Sequence, residues 1–371
     1  MWVSSAAPIL RSEPRRDALS CGMRTLFLTP LICLLANVAA AQPPLITIAT
    51  WSGPYGTAQE IEVFKPFTRE TGITVRIARN DGDLLPLIKS SGNAAPWQVT
   101  DIEHAPLTRG CAEGRFEKLD HAALLGKAAL ADFIPGTLHP CGIGQLIWSQ
   151  VVAYDATQLS TSPPRSLADF FDLARYPGKR GLYSRAEGNL EIALMADGIP
   201  PEDVYDMLRT TEGLERAFAK LITLSDAAVF WSQGDGPERL LNEGKVIMST
   251  AYAGRFQRPR SGARRPVSLM WANQLWRTSY WAIPSGSGEL AHAQRFISFA
   301  TDAERLARLA ARLRFGPARK SAMDLVPANA REDLPTARGQ FHDALMVDAD
   351  FWAEMGASLE DRFQAWRQAV R

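Results

Sequence analysis

The sequence predicts an α/β fold in two lobes, and three observations carry that reading. A β-branched run, a helix-like stretch and a second β-branched run follow one another between residues 45 and 77, the order of a βαβ unit. A second series of helix and strand signals fills the middle of the chain. About 330 residues remain once an N-terminal leader is set aside, more than one compact core usually holds.

The leader is read from Met23-Arg24-Thr25, the apolar run Leu26 to Ala36, and Ala39-Ala40-Ala41 before Gln42. A basic start, a short apolar stretch and an Ala-x-Ala site make a secretory signal peptide, so residues 1–41 are expected to be cleaved after Ala41. The apolar run falls short of the roughly 20 residues that a membrane anchor needs. Residues 1–22 precede a good second start at Met23 and read as an over-extended beginning. Cleavage after Ala41 also removes Cys33, whose approach Pro30-Leu31-Ile32 suits lipidation poorly.

Leu45 to Thr50 reads as a buried strand, and Trp51-Ser52-Gly53-Pro54-Tyr55-Gly56 as the loop after it. Ile61, Phe64 and Phe67 mark one helix face, broken by Pro66 and closed by Gly72; Ile73 to Ile77 is the second strand. A polar loop at Asn80 to Asp83, a helix from Leu84 to Lys89 and a third strand near Gln98 to Ile102 continue the pattern. Gly142 to Tyr154 is apolar and strand-like. After Thr161-Ser162-Pro163-Pro164, Ser166 caps a helix start. Helices are expected near Asn189–Ala196, Pro201–Leu208 and Leu214–Leu221, with strands near Gly181–Tyr183 and Val246–Ala251. Residues 266–284 are rich in strand formers and tryptophan, and Glu289 onward reads as helical.

Charge and motifs exclude several classes. The mature chain carries 37 basic against 38 acidic residues, which gives nucleic acid no basic face to bind. No phosphate loop, nucleophile elbow, His-Glu-x-x-His or dinucleotide fingerprint is present. The five histidines stand singly, with no ligand spacing. Neither a metal nor a cofactor is expected, and no catalytic residue. Ser285-Gly286-Ser287-Gly288 lacks a lysine and reads as a surface turn. Cys111 and Cys141 are the two cysteines left after cleavage, and in an exported protein such a pair reads as a disulfide.

What the sequence offers instead is aromatic residues at strand ends, where an open parallel sheet places its ligands. Trp51 follows the first strand, Tyr252 ends another, and Tyr280-Trp281 precede Pro284. Aromatic faces hold amines and flat rings by stacking and cation–π attraction. Asp101 and Glu103 close the third strand, and alternation puts both carboxylates on one face. Glu103 is the candidate for an ammonium group, and Asp101 for holding the first loop.

Taken in order, these residues resemble the extracellular solute-binding proteins of bacterial ABC importers, in the branch similar to spermidine/putrescine-binding proteins. The matching stretches are Ile48 to Gly53, Phe67 to Val75, Ser166 to Arg180, Gly188 to Gly198 and Thr250 to Arg255. The resemblance implies the type II periplasmic binding protein fold, with two α/β lobes and a ligand cleft between them. It places lobe 1 in 42–147 and 280–322 and lobe 2 in 148–279 and 323–371. The chain would cross near Leu146–Ser149 and return near Ser279, with the C-terminal helices mostly on lobe 2.

It further implies a monomeric periplasmic protein, not an enzyme, that closes on a small solute and delivers it to an inner-membrane permease. The implied ligand set is Trp51, Ser52, Tyr55, Glu103, Glu187, Asn189, Tyr252, Ser279 and Trp281. A polyamine is the first expectation. Two acidic positions of that branch are replaced, however, by Gly53 and Ser279. Arg185, Arg255 and Arg277 favour the alternative, a carboxylate or amino-acid-like solute. An enzyme built on this scaffold is the reading from a different class.

Overall fold

Nearly every fold-defining feature traces to two long strands that the whole molecule shares. A computed structural model describes residues 43–79, 85–88, 95–256 and 265–370. The leader, the polar loop at Asn80 to Asp83 and both end residues of the helix expected from Leu84 to Lys89 lie outside the described residues; between them the chain forms a 3₁₀ turn at Leu85–Leu87.

The strands are β1 (Leu45–Thr50), β2 (Thr74–Arg79), β3 (Val99–Glu103), β4 (Leu138–His139), β5 (Gly142–Asp155), β6 (Arg180–Tyr183), β7 (Ala228–Trp231), β8 (Met248–Tyr252), β9 (Val267–Ala282), β10 (Gly316–Pro317) and β11 (Leu345–Met346). They join in the order β2-β1-β3-β9-β5-β8-β6-β7, with β4 and β10 beside β5 and β11 beside β9. β1 is parallel to β2 and β3, and β6 is parallel to β7 and β8. β5 and β9 run antiparallel down the centre, their register slipping between Gly144 and Leu146 and again between Gln150 and Val152.

Each end of that ribbon carries its own core. Ile143, Leu146 and Trp281 pack with Ile46, Phe64, Phe67 and Phe296. Val152, Met270 and Leu275 pack instead with Phe170, Leu190, Phe218 and Phe351. This is the two-lobed α/β architecture the sequence predicts. The helices after β9 divide between the ends: Leu290–Ala300 and Ala303–Leu313 bury their apolar faces in the first core, Ala349–Ala369 in the second. No helix among the described residues is long and apolar enough to cross a membrane.

Local chemistry explains most element ends. Ser166 accepts from the Asp169 amide while Asp169 accepts from the Ser166 amide, a reciprocal cap that starts Leu167–Phe171. Pro66 does not break the first helix. The chain passes through a wider π-helical turn, Glu60–Phe64, which feeds the proline into the first turn of Lys65–Thr71. There its missing N–H costs least. Gly72, at φ 74°, then closes the helix, a conformation most side chains resist. Strand β7, the four-residue apolar run Ala228–Trp231, is missing from the sequence reading because so short a run carries no periodicity of its own.

Cys111 and Cys141 form the expected disulfide, with Cα atoms 5.9 Å apart, tying the helix His104–Ala112 to the residue before β5. Closing a loop of 30 residues is worth about 3–4 kcal/mol in the chain-entropy account.

Candidate functional site

Between the two cores, on the face of the ribbon that carries Glu103, lies a cavity of about 430 Å³. Its walls come from six places in the sequence. The β1 end and the following helix supply Trp51, Ser52, Pro54 and Tyr55; β3 supplies Glu103; the two long strands supply Trp148, Ser149 and Ser279; and Tyr252, Gly254, Arg255 and Phe315 close it. Gly254 and Phe315 nearly touch: a Cβ at Gly254 would come within 2.5 Å of the Phe315 ring.

Strand register explains the shared face. Glu103 pairs with Ser279, Ser279 with Leu146, and Arg277 with Trp148. Alternation then puts Glu103, Ser279, Arg277 and Trp148 on one side. The Arg277 guanidinium lies 5.0 Å from the Trp148 ring centroid. Tyr252 stands edge-on to Trp148 at 5.5 Å and to Trp231 at 5.5 Å, with Tyr183 4.8 Å from Trp231. This interlocked aromatic wall leaves little freedom to the Tyr252 ring. Burial, with the Tyr183 phenol beside it, keeps the Tyr252 phenol far from ionising.

Two carboxylates sit on this face at different depths. Glu103 is exposed into the cavity. The enclosing protein raises its carboxyl above the usual range, Arg277 pulls it back down and Glu187 pushes it up. Asp101 is fully buried one pair deeper, opposite Trp281. Its Oδ2 accepts from Gln59 Nε2 at 2.6 Å and from Thr50 Oγ1 at 3.4 Å, and Gln59 Nε2 also reaches Gln145 Oε1 at 3.0 Å. Burial pushes Asp101 up to about 7, against the hydrogen bond from Gln59. Through that bond Asp101 holds the end of the helix Gly53–Gln59, where the sequence suggests a hold on the first loop.

Of the residues singled out from sequence, Trp51, Ser52, Tyr55, Glu103, Tyr252 and Ser279 come together around this cavity. Three do not. Trp281 is wholly buried in the first core against Phe64 and Phe296, on the far side of the Asp101 pair. Asn189 is buried at the start of its helix, its amide donating to the carbonyls of Tyr183 and Arg185. Glu187 stands behind Arg277 and accepts from its Nε and Nη2.

Arg185 and Glu187 line a separate hollow with Trp352, Glu360 and Asp361. The loop that carries them is pinned from below: fully buried Glu191 accepts from the Gly188 amide at 2.8 Å, the Tyr205 hydroxyl at 3.0 Å and Trp352 Nε1 at 2.7 Å.

Trp148, Ser149 and Phe315 escaped the sequence reading. Trp148 sits in an apolar run that reads as plain core strand. Phe315 lies in a stretch that reads as helical, with nothing to tie it to Trp51 and Tyr55, more than 250 residues away along the chain. The one available signal for Trp148 was its neighbourhood of polar residues, Ser149 and Gln150, in an otherwise apolar strand. Among the described residues no group of histidine, cysteine, aspartate and glutamate is arranged to hold a metal.

Comparison with known proteins agrees with this geometry. The profile of a family described as bacterial extracellular solute-binding proteins matches residues 62–336. The chain is 38% identical over 333 residues to the gamma-aminobutyric acid-binding protein of Pseudomonas aeruginosa, covering 89% of this chain and 93% of that one. Among solved structures it resembles an ABC transporter substrate-binding protein from Bradyrhizobium japonicum, at 25% identity and a TM-score of 0.76, over 87% of this chain and 99% of that one. It also resembles the Atu4243 GABA receptor, at 26% identity and a TM-score of 0.72, over 87% and 97%.

Proposed function

The chain belongs to the bacterial extracellular solute-binding proteins, and on that premise we propose that it captures a GABA-like amino acid for an ABC importer. Its relatives are solute-binding proteins and not enzymes. The observation that carries the ligand class is that one acidic residue, Glu103, and one basic residue, Arg255, both line a cavity walled by Trp51, Tyr55, Trp148, Tyr252 and Phe315.

A zwitterion with its charges at opposite ends satisfies both groups. Its ammonium meets Glu103 and the aromatic faces, and its carboxylate meets Arg255, as charge-assisted hydrogen bonds require. The aliphatic segment between them lies against the rings. A polyamine fits less well, since a second ammonium would face the Arg255 guanidinium instead of a carboxylate. The 38% identical relative is named for GABA, which points the same way.

In this reading Trp51, Ser52, Tyr55, Glu103, Trp148, Tyr252, Arg255 and Ser279 contact the solute. Glu187 and Asn189 act at one remove, Glu187 by holding Arg277 against Trp148 and Asn189 by shaping the Arg185 loop. The lobes rock where β5 and β9 cross, near Leu146–Ser149 and Ser279. Closure over the solute creates the surface that a membrane permease reads. The working place of such a protein is the periplasm.

Titration calorimetry on the exported protein tests this, with GABA, α-amino acids, putrescine and spermidine as ligands. Saturable binding of GABA or a neighbouring amino acid, with the polyamines silent, is expected. Tight binding of putrescine with no response to amino acids overturns the ligand assignment and leaves the family untouched.

A further inference from the structure

We infer that Asp101 is a positioning residue for the solute's ammonium group, acting through the Tyr55 hydroxyl that separates it from the cavity. This rests on the amino-acid reading above and deepens it.

The geometry begins with strand alternation. Asp101 projects from the same face of β3 as Glu103, one side-chain repeat deeper. Tyr55 lines the cavity and its hydroxyl lies beside both Asp101 and Ser279. That hydroxyl is buried without a hydrogen-bond partner, and so is the second Asp101 oxygen, Oδ1. Gln145 Nε2 and Ser149 Oγ, on β5, are buried and unpartnered as well. Unsatisfied buried polar atoms cost on the order of 1–3 kcal/mol each, and a cluster of them behind a ligand cavity is arranged for something that arrives there.

Hydroxyl chemistry supplies the coupling. When Asp101 is ionised it can only accept, so the Tyr55 O–H turns to donate to Oδ1 and the phenolic lone pairs face the cavity. Those lone pairs accept from an ammonium. When Asp101 is protonated its own O–H donates to the Tyr55 oxygen, and the phenol then offers its hydrogen outward, against the ammonium. Ammonium binding and Asp101 ionisation therefore favour one another, and linkage makes the coupling reciprocal. The carboxyl, raised to about 7 by burial, loses its proton to solvent as the solute binds. Affinity should rise with pH through that range.

Among the groups around Asp101, Glu103 also meets the ammonium, and its contribution to the pH dependence is common to the wild type and the variants below. Gln59, Thr50 and Gln145 are neutral, and Glu103 is the charge that faces it. Glu103 titrates from its own raised position under the influence of Arg277 and Glu187. His104, next along the chain, turns to the opposite face and packs on Tyr280.

Calorimetry with GABA between about pH 6 and about pH 8, repeated in buffers of different ionisation enthalpy, reads both consequences. The wild-type protein should bind roughly tenfold tighter at the higher pH, with net proton release near neutrality. Asp101→Asn should sharply reduce both the slope and the proton release, with its melting temperature confirming that it is folded. Tyr55→Phe, which keeps Asp101, should flatten the profile in the same way. It carries the test alone if Asp101→Asn does not fold. A pH slope undiminished in either folded variant, or a flat wild-type profile, overturns the inference and leaves the amino-acid reading standing. Failure of the wild type to bind any amino acid at any pH overturns that reading and this inference with it.

Discussion

Arg277 directs its Nε and Nη2 at the same oxygen of Glu187, Oε1, at 3.0 and 2.5 Å, while its plane lies 5.0 Å from the centre of Trp148. The pair fixes a guanidinium that is 13% exposed against a wall of the ligand cavity. Its third nitrogen, Nη1, is buried with no partner.

Removing one member of this pair should therefore cost more than removing both. Glu187→Ala leaves a mostly buried cation unpaired, a loss of about 1–3 kcal/mol after allowing for the partial exposure of Glu187. Arg277→Met with Glu187→Ala should recover part of that loss. Denaturant melts of the two single variants and the double variant measure the coupling directly.

Glu103 and Arg255 should separate by ligand. Glu103→Gln is expected to weaken GABA binding by roughly 10- to 100-fold, the worth of a charge-assisted hydrogen bond in an enclosed site. It should leave recognition of a plain carboxylic acid little changed. Arg255→Ala should do the reverse, sparing simple amines and weakening carboxylates. Competition titrations with butylamine and butyrate distinguish the two. Loss of both probes in both variants would show that the assignment of ends is wrong.

The disulfide should matter to stability far more than to binding. Cys111→Ala with Cys141→Ala loses about 3–4 kcal/mol of loop constraint, a drop of several degrees in melting temperature at this size. Neither cysteine lines the cavity, so the dissociation constant at 25 °C should move less than about threefold. Scanning calorimetry with and without reductant gives the same comparison without mutation.

Acid should loosen the first lobe near the same bridge. His139 Nδ1 accepts from the Cys141 amide at 3.2 Å, which only a neutral ring can do. Burial, with the neighbouring His104, pushes His139 down to about 4. An unfolded histidine binds its proton near 6.5. Between those values the unfolded chain holds more protons, so stability is full above about 6.5 and falls as pH drops towards 4. His139→Gln should show a shallower loss of melting temperature across that window than the wild-type protein.

Sequence alone reached the architecture because its signals are local. Leu45 to Thr50 and Ile73 to Ile77 are β-branched runs around a Gly72 stop, and the helix Asn189–Ala196 falls where it was expected. The cavity was only half legible. Trp51, Ser52 and Tyr55 follow a strand end, and Glu103 and Tyr252 close strands, positions where a sheet presents side chains to a ligand. Trp281 looked equivalent, yet strand twist and the Phe64–Phe296 pairing turn it into the core. Trp148 and Phe315 needed knowledge of which distant strands lie side by side. That pairing depends on register slips within β5 and β9, which no short stretch of sequence announces.

The composition of the first core has a consequence for biogenesis. Its early members, such as Ile46, Phe64 and Phe67, are completed by Trp281, Phe296, Leu309 and Leu334, which are synthesised more than 200 residues later. Much of the second core, from Val152 to Leu275, lies between them, and Leu345, Phe351, Leu359 and Phe363 follow both. A chain threaded outward from its N-terminus therefore exposes β1, β2 and β3 with no partner for their open edge until β9 has emerged. Such long-range closure is slow and leaves apolar strands open to aggregation. Folding should thus be completed late, because each core waits for residues near the end of the chain, Leu334 for the first and Phe363 for the second.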